Sequence, residues 1–245
     1  MIIKVRHNDP TLALQVADAG AVPLLILCVQ EPNVPLKRVA ATAIGEIAKH
    51  SEELAHRVAD TEGAIKNLAL LIAHPDKQLK KQVCACLANI AKHNEELAVT
   101  VAEADIFPKI LYCLKDTDPQ VRKNAANCIR EIAKQSSELA NIIVHYGGPG
   151  AIVDYLNHTT GVAKLPGIMT LGFIAGFDES LAMSVIVSEG IAPLCEAVGP
   201  GNEDHVKAAA AWSLGQLGRH SPQHAKPLCE KNVPAILLSV NLILS

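Results

Sequence analysis

Residues 51–61 read SEELAHRVADT, and residues 94–104 read NEELAVTVAEA. Both stretches contain a Leu-Ala pair, and the two pairs stand 43 residues apart. The same position recurs at steps of 42 or 43 residues along the whole chain, in Leu12-Ala13, Leu54-Ala55, Leu97-Ala98, Leu139-Ala140, Leu181-Ala182 and His224-Ala225. A fixed period of this length indicates a repeat architecture, in which each repeat buries its apolar face against its neighbours.

Two further sets of residues keep the same phase. One set is basic and consists of Lys37, Lys80, Arg122, Lys164 and Lys207. The other is apolar and consists of Ile44, Leu87, Ile129, Leu171 and Leu214. Because three registers stay in phase, the chain is interpreted as six copies of one structural pattern.

Each copy divides into three helical segments. The first, such as Glu52 to about Thr61, follows a residue type that caps helices, namely Ser51, Asn94, Ser136 or Ser137, Asp178 and Ser221. The turn to the second falls at residue types that tolerate a left-handed backbone, namely Gly20, Gly63, Asp105, Gly147, Gly190 and Asn232. The third is the longest and runs from about Lys37 to His50 in the first copy.

Three helices in a repeat of roughly 40 residues are typical of the armadillo class. The predicted fold class is therefore all-α, an armadillo-repeat superhelix (an α-solenoid) with three helices in each repeat of 42 or 43 residues. One array is expected over residues 1–245, with about five full repeats and partial repeats at both ends. The chain is thus predicted to be a fragment of a longer array, whose uncapped apolar ends are expected to associate end to end.

The composition excludes several other classes of protein. Apolar residues make up 49% of the chain and aromatic residues only 3%, which favours closely packed helices. A net charge of −3 lacks the positive field that nucleic-acid binding needs, so no nucleic-acid partner is expected. No stretch has the length of a signal peptide core or a membrane span, so no membrane partner is expected either. The seven cysteines contain no Cys-x-x-Cys pair, which favours a reducing, cytoplasmic compartment.

No catalytic residue, metal ion or cofactor is expected, and the chain is not expected to be an enzyme. Neither a nucleophile elbow nor a phosphate-binding loop is present in the sequence. His7, His50, His93 and His220 each follow a Lys or Arg at the end of a third helix, and a separation on the order of 10 Å between neighbouring repeats would keep them from sharing one ion. They are interpreted as cations at helix ends. The Cys84-Ala85-Cys86 stretch is interpreted as core packing.

A basic ladder is one candidate binding surface. It consists of Lys37, Arg38, Lys80, Lys81, Arg122, Lys123 and Lys207. Such a ladder could engage an acidic partner along the solenoid. The simpler alternative, which the sequence favours, is that these charges form the solvated start of each third helix.

The exposed side of the third helices is the other candidate. In armadillo proteins generally this helix lines a concave groove for extended peptides, and nuclear import adaptors and catenins resemble this architecture. Their groove repeats a Trp followed four residues later by Asn. Here the Trp positions hold Thr42, Ala85, Asn127, Met169 and Trp212, and the Asn positions hold Glu46, Asn89, Glu131, Phe173 and Gln216. Because the Trp ladder is missing, an import-adaptor function is not expected. The candidate groove for another protein partner consists of Glu46, Lys49, Asn89, Lys92, Glu131, Lys134, Trp212 and Gln216.

Several stretches also resemble one particular armadillo family. These are DAGAVPLL at residues 18–25, IREIAK at 129–134, LPGIMTLG at 165–172 and DHVKAAAAWSLGQ at 204–216. They are similar to the armadillo-repeat protein of the ciliary central apparatus called sperm-associated antigen 6 in animals. Members of this family are longer, so the resemblance implies that the chain is a middle portion.

The resemblance implies a structural protein-binding scaffold of the central pair apparatus of motile cilia and flagella, required for axoneme integrity and motility. Its partners would be other central-apparatus proteins and microtubules, and it would be a cytoplasmic protein of the axonemal cytoskeleton. The alternative is a soluble armadillo adaptor that binds linear peptides in transport or signalling.

Overall fold

The computed structural model describes residues 10–241, with side chains for residues 10–239, and every regular element in that range is a helix. The chain divides into two compact units, Met1–Gln135 and Ser136–Ser245, which we call the N-terminal and the C-terminal unit. Each consists of consecutive three-helix repeats, which confirms the predicted armadillo-repeat solenoid.

The N-terminal unit contains three described repeats, and the third helix of each is the longest. Their helices are α1 (Pro10–Asp18), α2 (Ala21–Gln30), α3 (Val34–Ala48), α4 (Glu52–Ala59), α5 (Ala64–Leu71), α6 (Lys77–Ala91), α7 (Glu95–Glu103), α8 (Phe107–Cys113) and α9 (Pro119–Ala133). The third helix α6 packs between the third helices α3 and α9. Equivalent positions of successive third helices therefore lie side by side.

The C-terminal unit continues the pattern with two complete repeats and the first two helices of another. Its helices are α10 (Ser137–His145), α11 (Gly148–Asn157), a 3-10 helix (Gly161–Lys164), α12 (Leu165–Phe177), α13 (Glu179–Val187), α14 (Ile191–Val198), α15 (Asp204–Gly218), α16 (Pro222–Glu230) and α17 (Val233–Asn241). The third helices α12 and α15 pack against each other.

The first helix of each repeat begins at a capping side chain in four of the five predicted places. The side-chain oxygens of Ser51, Asn94, Ser136 and Asp178 accept the backbone N–H three residues later, at 3.2, 2.8, 3.4 and 2.8 Å. The choice between Ser136 and Ser137 is thus settled in favour of Ser136. Ser221 differs, because its hydroxyl lies 2.8 Å from His224 Nδ1 and makes no cap bond.

The third helix of the first repeat begins earlier than predicted. Helix α3 starts at Val34 and not near Lys37, because Asn33 Oδ1 accepts the Leu36 N–H at 3.0 Å. Pro35 falls in the first turn of α3, where a missing N–H costs nothing. In the next repeat Asp76 caps α6 in the same way, with its Oδ1 2.7 Å from Leu79 N.

The turn between the first and second helices is left-handed at five of the six predicted residues, Gly20, Gly63, Asp105, Gly147 and Asn232. The sixth prediction, at Gly190, was wrong by one position, because the residue with the positive φ is Glu189, at 64°. Gly190 itself has a φ of −64°, so glycine is required there for a steric reason and not for a left-handed backbone. A Cβ on Gly190 would lie 2.9 Å from the Val185 carbonyl oxygen, so only glycine lets the chain pass this closely.

The two apolar registers that reveal the repeat form the core. Leu54, Leu97, Leu139 and Leu181 are each at most 2% exposed, and the register of Ile44 and Leu87 is fully buried. Burying one such side chain contributes roughly 1.5–3 kcal/mol. His224 replaces the leucine in the last repeat, and its buried ring makes a hydrogen bond from Nε2 to the Glu179 carbonyl at 2.8 Å.

Side chains from one repeat also complete the third helix of the repeat before it. In the N-terminal unit, His93 Nε2 donates to the Ala48 carbonyl at 2.7 Å and Gln135 Nε2 donates to the Ala91 carbonyl at 3.0 Å. The last carbonyls of a helix lack hydrogen-bond donors within that helix, and the side chains of His93 and Gln135 provide such donors. Burial lowers the pKa of His93, which disfavours the charged ring and argues against the interpretation of His93 as a cation.

Replacing Asn94 by Ala is expected to lower the free energy of unfolding by about 1 kcal/mol. The variant loses the cap on Leu97 and the bond from Asn94 Nδ2 to Glu52 Oε1 at 2.8 Å. Urea denaturation of both proteins measures the difference. Thr100→Ala in the same helix is the control, because the Thr100 hydroxyl bonds only to the Glu96 carbonyl. Equal effects of the two changes would show that the cap adds nothing.

Candidate functional site

A stripe of four mostly polar positions runs along one face of each third helix of the N-terminal unit. In α6 it consists of Lys81, Ala85, Asn89 and the C-cap residue Lys92, spaced by four, four and three residues so that all four lie on one helix face. The residues between them, such as Val83 and Leu87, are buried. The equivalent positions are Arg38, Thr42, Glu46 and Lys49 in the first repeat and Lys123, Asn127, Glu131 and Lys134 in the third. We call these three rows the groove stripe.

The groove stripe is strongly cationic. It holds six Lys or Arg residues and two Glu residues. The chain as a whole has 22 basic and 25 acidic residues. The positive charge is therefore a property of this face and not of the protein's overall composition.

Both carboxylates of the groove stripe are neutralised by their own helix. Glu46 forms an ion pair with Lys49 one turn later. Glu131 forms ion pairs with Lys134 and with its neighbour Arg130, and it is only 7% exposed. Burial alone would raise the pKa of Glu131, but its bonds to Lys134 and Arg130 hold that pKa below the ordinary value. Both glutamates are thus occupied locally.

Lys92 connects the rows of the groove stripe. Its ammonium donates to the Lys49 carbonyl at the end of α3, at 2.8 Å. Partial burial lowers the pKa of Lys92 against the attraction of Glu131, and the like charges of Lys49 and Lys134 lower it further. The structure therefore brings together five of the predicted groove residues, Glu46, Lys49, Lys92, Glu131 and Lys134, as one network of interacting charges.

Asn89 is committed to the neighbouring repeat. Its side-chain Nδ2 donates to the Gly45 carbonyl in α3 at 3.1 Å. Helix α6 comes very close at this point, because a Cβ on Gly45 would lie 3.0 Å from Cys86 Cα. The amide at this Asn position is therefore part of the packing between repeats.

The basic ladder separates into paired and open cations. Arg38 forms a two-point ion pair with Asp76, in which Nε lies 2.8 Å from Oδ1 and Nη2 contacts Oδ2. Lys80 forms an ion pair with Asp116. Arg122 Nη1 donates to the Asp116 carbonyl at 2.9 Å. Lys207 in the C-terminal unit lies 3.2 Å from Asp204. Three ladder residues, Lys37, Lys81 and Lys123, form no ion pair with any residue that the structure describes.

The C-terminal unit has a different third-helix face. The four positions are Leu165, Met169, Phe173 and Gly176 in α12 and Ala208, Trp212, Gln216 and Arg219 in α15. Phe173 and Trp212 meet edge to face, with ring centroids 5.3 Å apart. Trp212 remains 37% exposed. The predicted groove residues Trp212 and Gln216 thus belong to a largely apolar surface.

Asp76, Asp116 and Arg130 were missed as partners of the predicted site residues. Asp76 could have been found as a helix cap, because it stands directly before the Lys77-Gln78 start of α6. Nothing in the sequence pairs Lys80 with Asp116, which stands 36 residues further along the chain.

Within residues 10–241, no group of three or more His, Cys, Asp or Glu side chains is placed to hold a metal ion. No single helix in this range is long and apolar enough to cross a membrane, and two helix pairs reach that length and hydrophobicity only across bends of 79° and 82°. Cys84 and Cys86 are both buried, as the core-packing interpretation predicts, and burial raises the pKa of Cys86 to about 12.

Two family models match parts of the chain. The armadillo/beta-catenin-like repeat matches residues 9–49, and the HEAT repeat matches residues 106–136. Among curated proteins, sperm-associated antigen 6 of Mus musculus is 60% identical over 38 residues, and the Homo sapiens protein is 58% identical over 38 residues. Each match covers 16% of this chain and 8% of the relative's length.

Several solved structures share the fold over most of the chain. A designed armadillo repeat protein has a TM-score of 0.85 at 20% identity and covers 89% of this chain and 91% of its own. An engineered protein has a TM-score of 0.90 at 23% identity, covering 95% of this chain and 56% of its own. A designed armadillo repeat protein in complex with the peptide (KR)4 has a TM-score of 0.81 at 20% identity, with 86% and 87% covered.

Proposed function

We propose, from the premise that this chain is built of armadillo repeats, that it is a non-enzymatic scaffold whose third-helix faces bind other proteins. The observation that carries this proposal is the groove stripe of the N-terminal unit, where six cations and two locally paired carboxylates stand in rows on packed helices. Rigid helices hold such rows in fixed positions, which favours recognition of a partner over the scattered charges of an ordinary surface.

The structural relatives support a protein partner. One designed armadillo repeat protein with this fold is in complex with the peptide (KR)4. That protein accepts a basic peptide, whereas the groove stripe of this chain is itself basic. We therefore propose that this chain binds a partner of different charge.

We further propose that the scaffold belongs to the central pair apparatus of motile cilia and flagella, where it supports axoneme integrity and motility. The short match to sperm-associated antigen 6 of mouse and human supports this location, although it spans only 8% of those proteins. Central-apparatus proteins and microtubules would then be the partners. In the same proposal, residues 1–245 form one armadillo array within a longer protein.

The localisation of the natural protein that carries this sequence tests the proposal. The protein is tagged with a fluorescent protein in a motile flagellate, and the cells are extracted with detergent. We expect the signal to remain along the insoluble axoneme, and to be lost from axonemes of a mutant strain that lacks the central pair. The fluorescent tag alone should wash out completely.

Complete release into the soluble or nuclear fraction would contradict the axonemal location. It would favour the alternative of a soluble adaptor that binds linear peptides in transport or signalling. Retention on axonemes that lack the central pair would instead assign the scaffold to another axonemal structure.

A further inference from the structure

The cations of the groove stripe differ in whether the chain already uses them. Arg38 is held by Asp76, Lys49 by Glu46 and Lys134 by Glu131. Lys92 donates to a backbone carbonyl and lies in the field of Glu131. Lys81 and Lys123 form no ion pair with any described residue. Two cations at equivalent positions of neighbouring repeats are therefore available to a partner.

We infer that the groove stripe of the N-terminal unit binds an extended acidic segment of a partner protein, with Lys81 and Lys123 contacting its carboxylates. This inference rests on the proposed function, because it names the chemistry of the partner at the same surface. The contact lies on one face of the N-terminal unit and involves two lysines. Substitution of these two lysines leaves the ion pairs between repeats intact.

The distance between these two lysines sets the spacing of the carboxylates. Asn124 Nδ2 in α9 donates to the Lys81 carbonyl in α6 at 2.9 Å, which fixes the two helix starts against each other. Packed helices lie about 8–10 Å apart. An extended peptide advances about 3.3 Å per residue, so side chains two or three residues apart bridge that distance. The partner segment should therefore carry Glu or Asp at every second or third position.

The rest of the groove stripe explains why charge would dominate recognition. Asn89 already donates one N–H to Gly45 O, and the three rows contain no aromatic ring. Affinity must then come largely from charge pairs, which weaken as salt screens them. The missing aromatic rings also disfavour single-stranded nucleic acid, which such surfaces bind by stacking bases.

A labelled peptide provides the test. The whole 245-residue chain is titrated against a fluorescein-labelled peptide of about ten residues with alternating Glu and Ser, and the anisotropy is recorded at low and at physiological salt. We expect binding that weakens with salt, and no binding of the peptide in which Lys replaces Glu. The double variant Lys81→Glu/Lys123→Glu should weaken binding by about tenfold or more, equivalent to about 1.4 kcal/mol.

The matched control is Lys66→Glu/Lys231→Glu, which changes the net charge by the same amount. Both lysines are exposed and lie outside the groove stripe, Lys66 in α5 and Lys231 at the C-cap of α16. Thermal unfolding of all variants verifies that they are folded. We expect the control to bind the acidic peptide within about twofold of the unchanged chain, since long-range charge is screened beyond about 8 Å.

Three results would overturn the inference. The first is an equal loss in both double variants, which would assign the effect to net charge. The second is equal or tighter binding of the Lys peptide, and the third is tighter binding of a single-stranded oligonucleotide that displaces the acidic peptide. Failure of the peptide test would leave the scaffold free to bind through another face, whereas release from axonemes would leave peptide binding unchanged, so the two proposals can fail separately.

Discussion

Replacing Asp116 by Ala is expected to lower the free energy of unfolding by about 3 kcal/mol. Asp116 pairs with Lys80 of the preceding repeat, and the two side chains are only 8% and 14% exposed. Its Oδ1 also accepts the Asp118 N–H at 2.9 Å, just before α9 begins. The variant leaves the Lys80 ammonium without its partner in a position where water reaches it poorly. Chemical denaturation measures the loss.

Two further variants separate charge from hydrogen bonding. Asp116→Asn keeps an acceptor for the Asp118 N–H and should cost less than Asp116→Ala. Lys80→Met combined with Asp116→Ala removes both charges and should recover much of the stability, because no unpaired charge remains. A loss below about 0.5 kcal/mol in Asp116→Ala would show that the pair contributes no more than an exposed one.

The contribution of the Asp116–Lys80 pair to the free energy of unfolding depends on pH. Burial alone would raise the pKa of Asp116, but the Asp118 N–H and the Lys80 ammonium hold that pKa below its ordinary value. A carboxylate with a lowered pKa stabilises the folded chain above about pH 4 and loses this contribution as the pH falls through the folded pKa. The difference between the unchanged chain and Asp116→Ala should therefore shrink in acid.

Replacing Gly172 by Ala is expected to destabilise the C-terminal unit by about 1–3 kcal/mol. A Cβ on Gly172 would overlap the Trp212 ring and the Ser213 hydroxyl of α15. Ser213 is fully buried and its hydroxyl donates to the Ile168 carbonyl at 3.0 Å, so it cannot easily move away. Trp212 is the only tryptophan of the chain, and its fluorescence reports the displacement directly.

The equivalent glycine of the next repeat is the control and should give the opposite sign. Gly215 stands 43 residues after Gly172, and a Cβ there would meet no atom within 4 Å. Gly215→Ala should stabilise α15 by about 0.5–1 kcal/mol, because Ala loses less backbone entropy in a helix. Adding Trp212→Ala to Gly172→Ala should restore part of the loss. Equal effects of the two glycine changes would exclude the overlap as the cause.

The helices were predictable because their signals are local or periodic. The caps at Ser51 and Asn94 and the buried Leu-Ala register depend only on residue type and on a constant period. The start of α3 was missed because Pro35 looks like a break, whereas it lies in the first turn behind the Asn33 cap. The left-handed turn was predicted at Gly190 and lies at Glu189. This shift was missed because residue type alone does not show how closely Gly190 passes Val185.

The candidate site was predictable in its positions but not in its pairings. The repeat register places Lys81 and Lys123 at equivalent positions, and the structure keeps them there. The partners of Arg38 and Lys80 stand 38 and 36 residues away, and only the stacking of repeats brings them together. No local pattern could show that Asn89 bonds to Gly45, because that contact exists only between two neighbouring helices.

The bonds from His93 to Ala48 and from Gln135 to Ala91 run in one direction, from a repeat back to the one before it. In these two cases the last carbonyl of a third helix therefore gains its side-chain donor only when the next repeat is in place. During synthesis the chain leaves the ribosome from its N-terminus, so each of these repeats waits for the next one before it reaches its full stability. Within the N-terminal unit, a cut after α6 would weaken the repeat before the cut, whereas a cut before α4 would spare the bonds that complete α6.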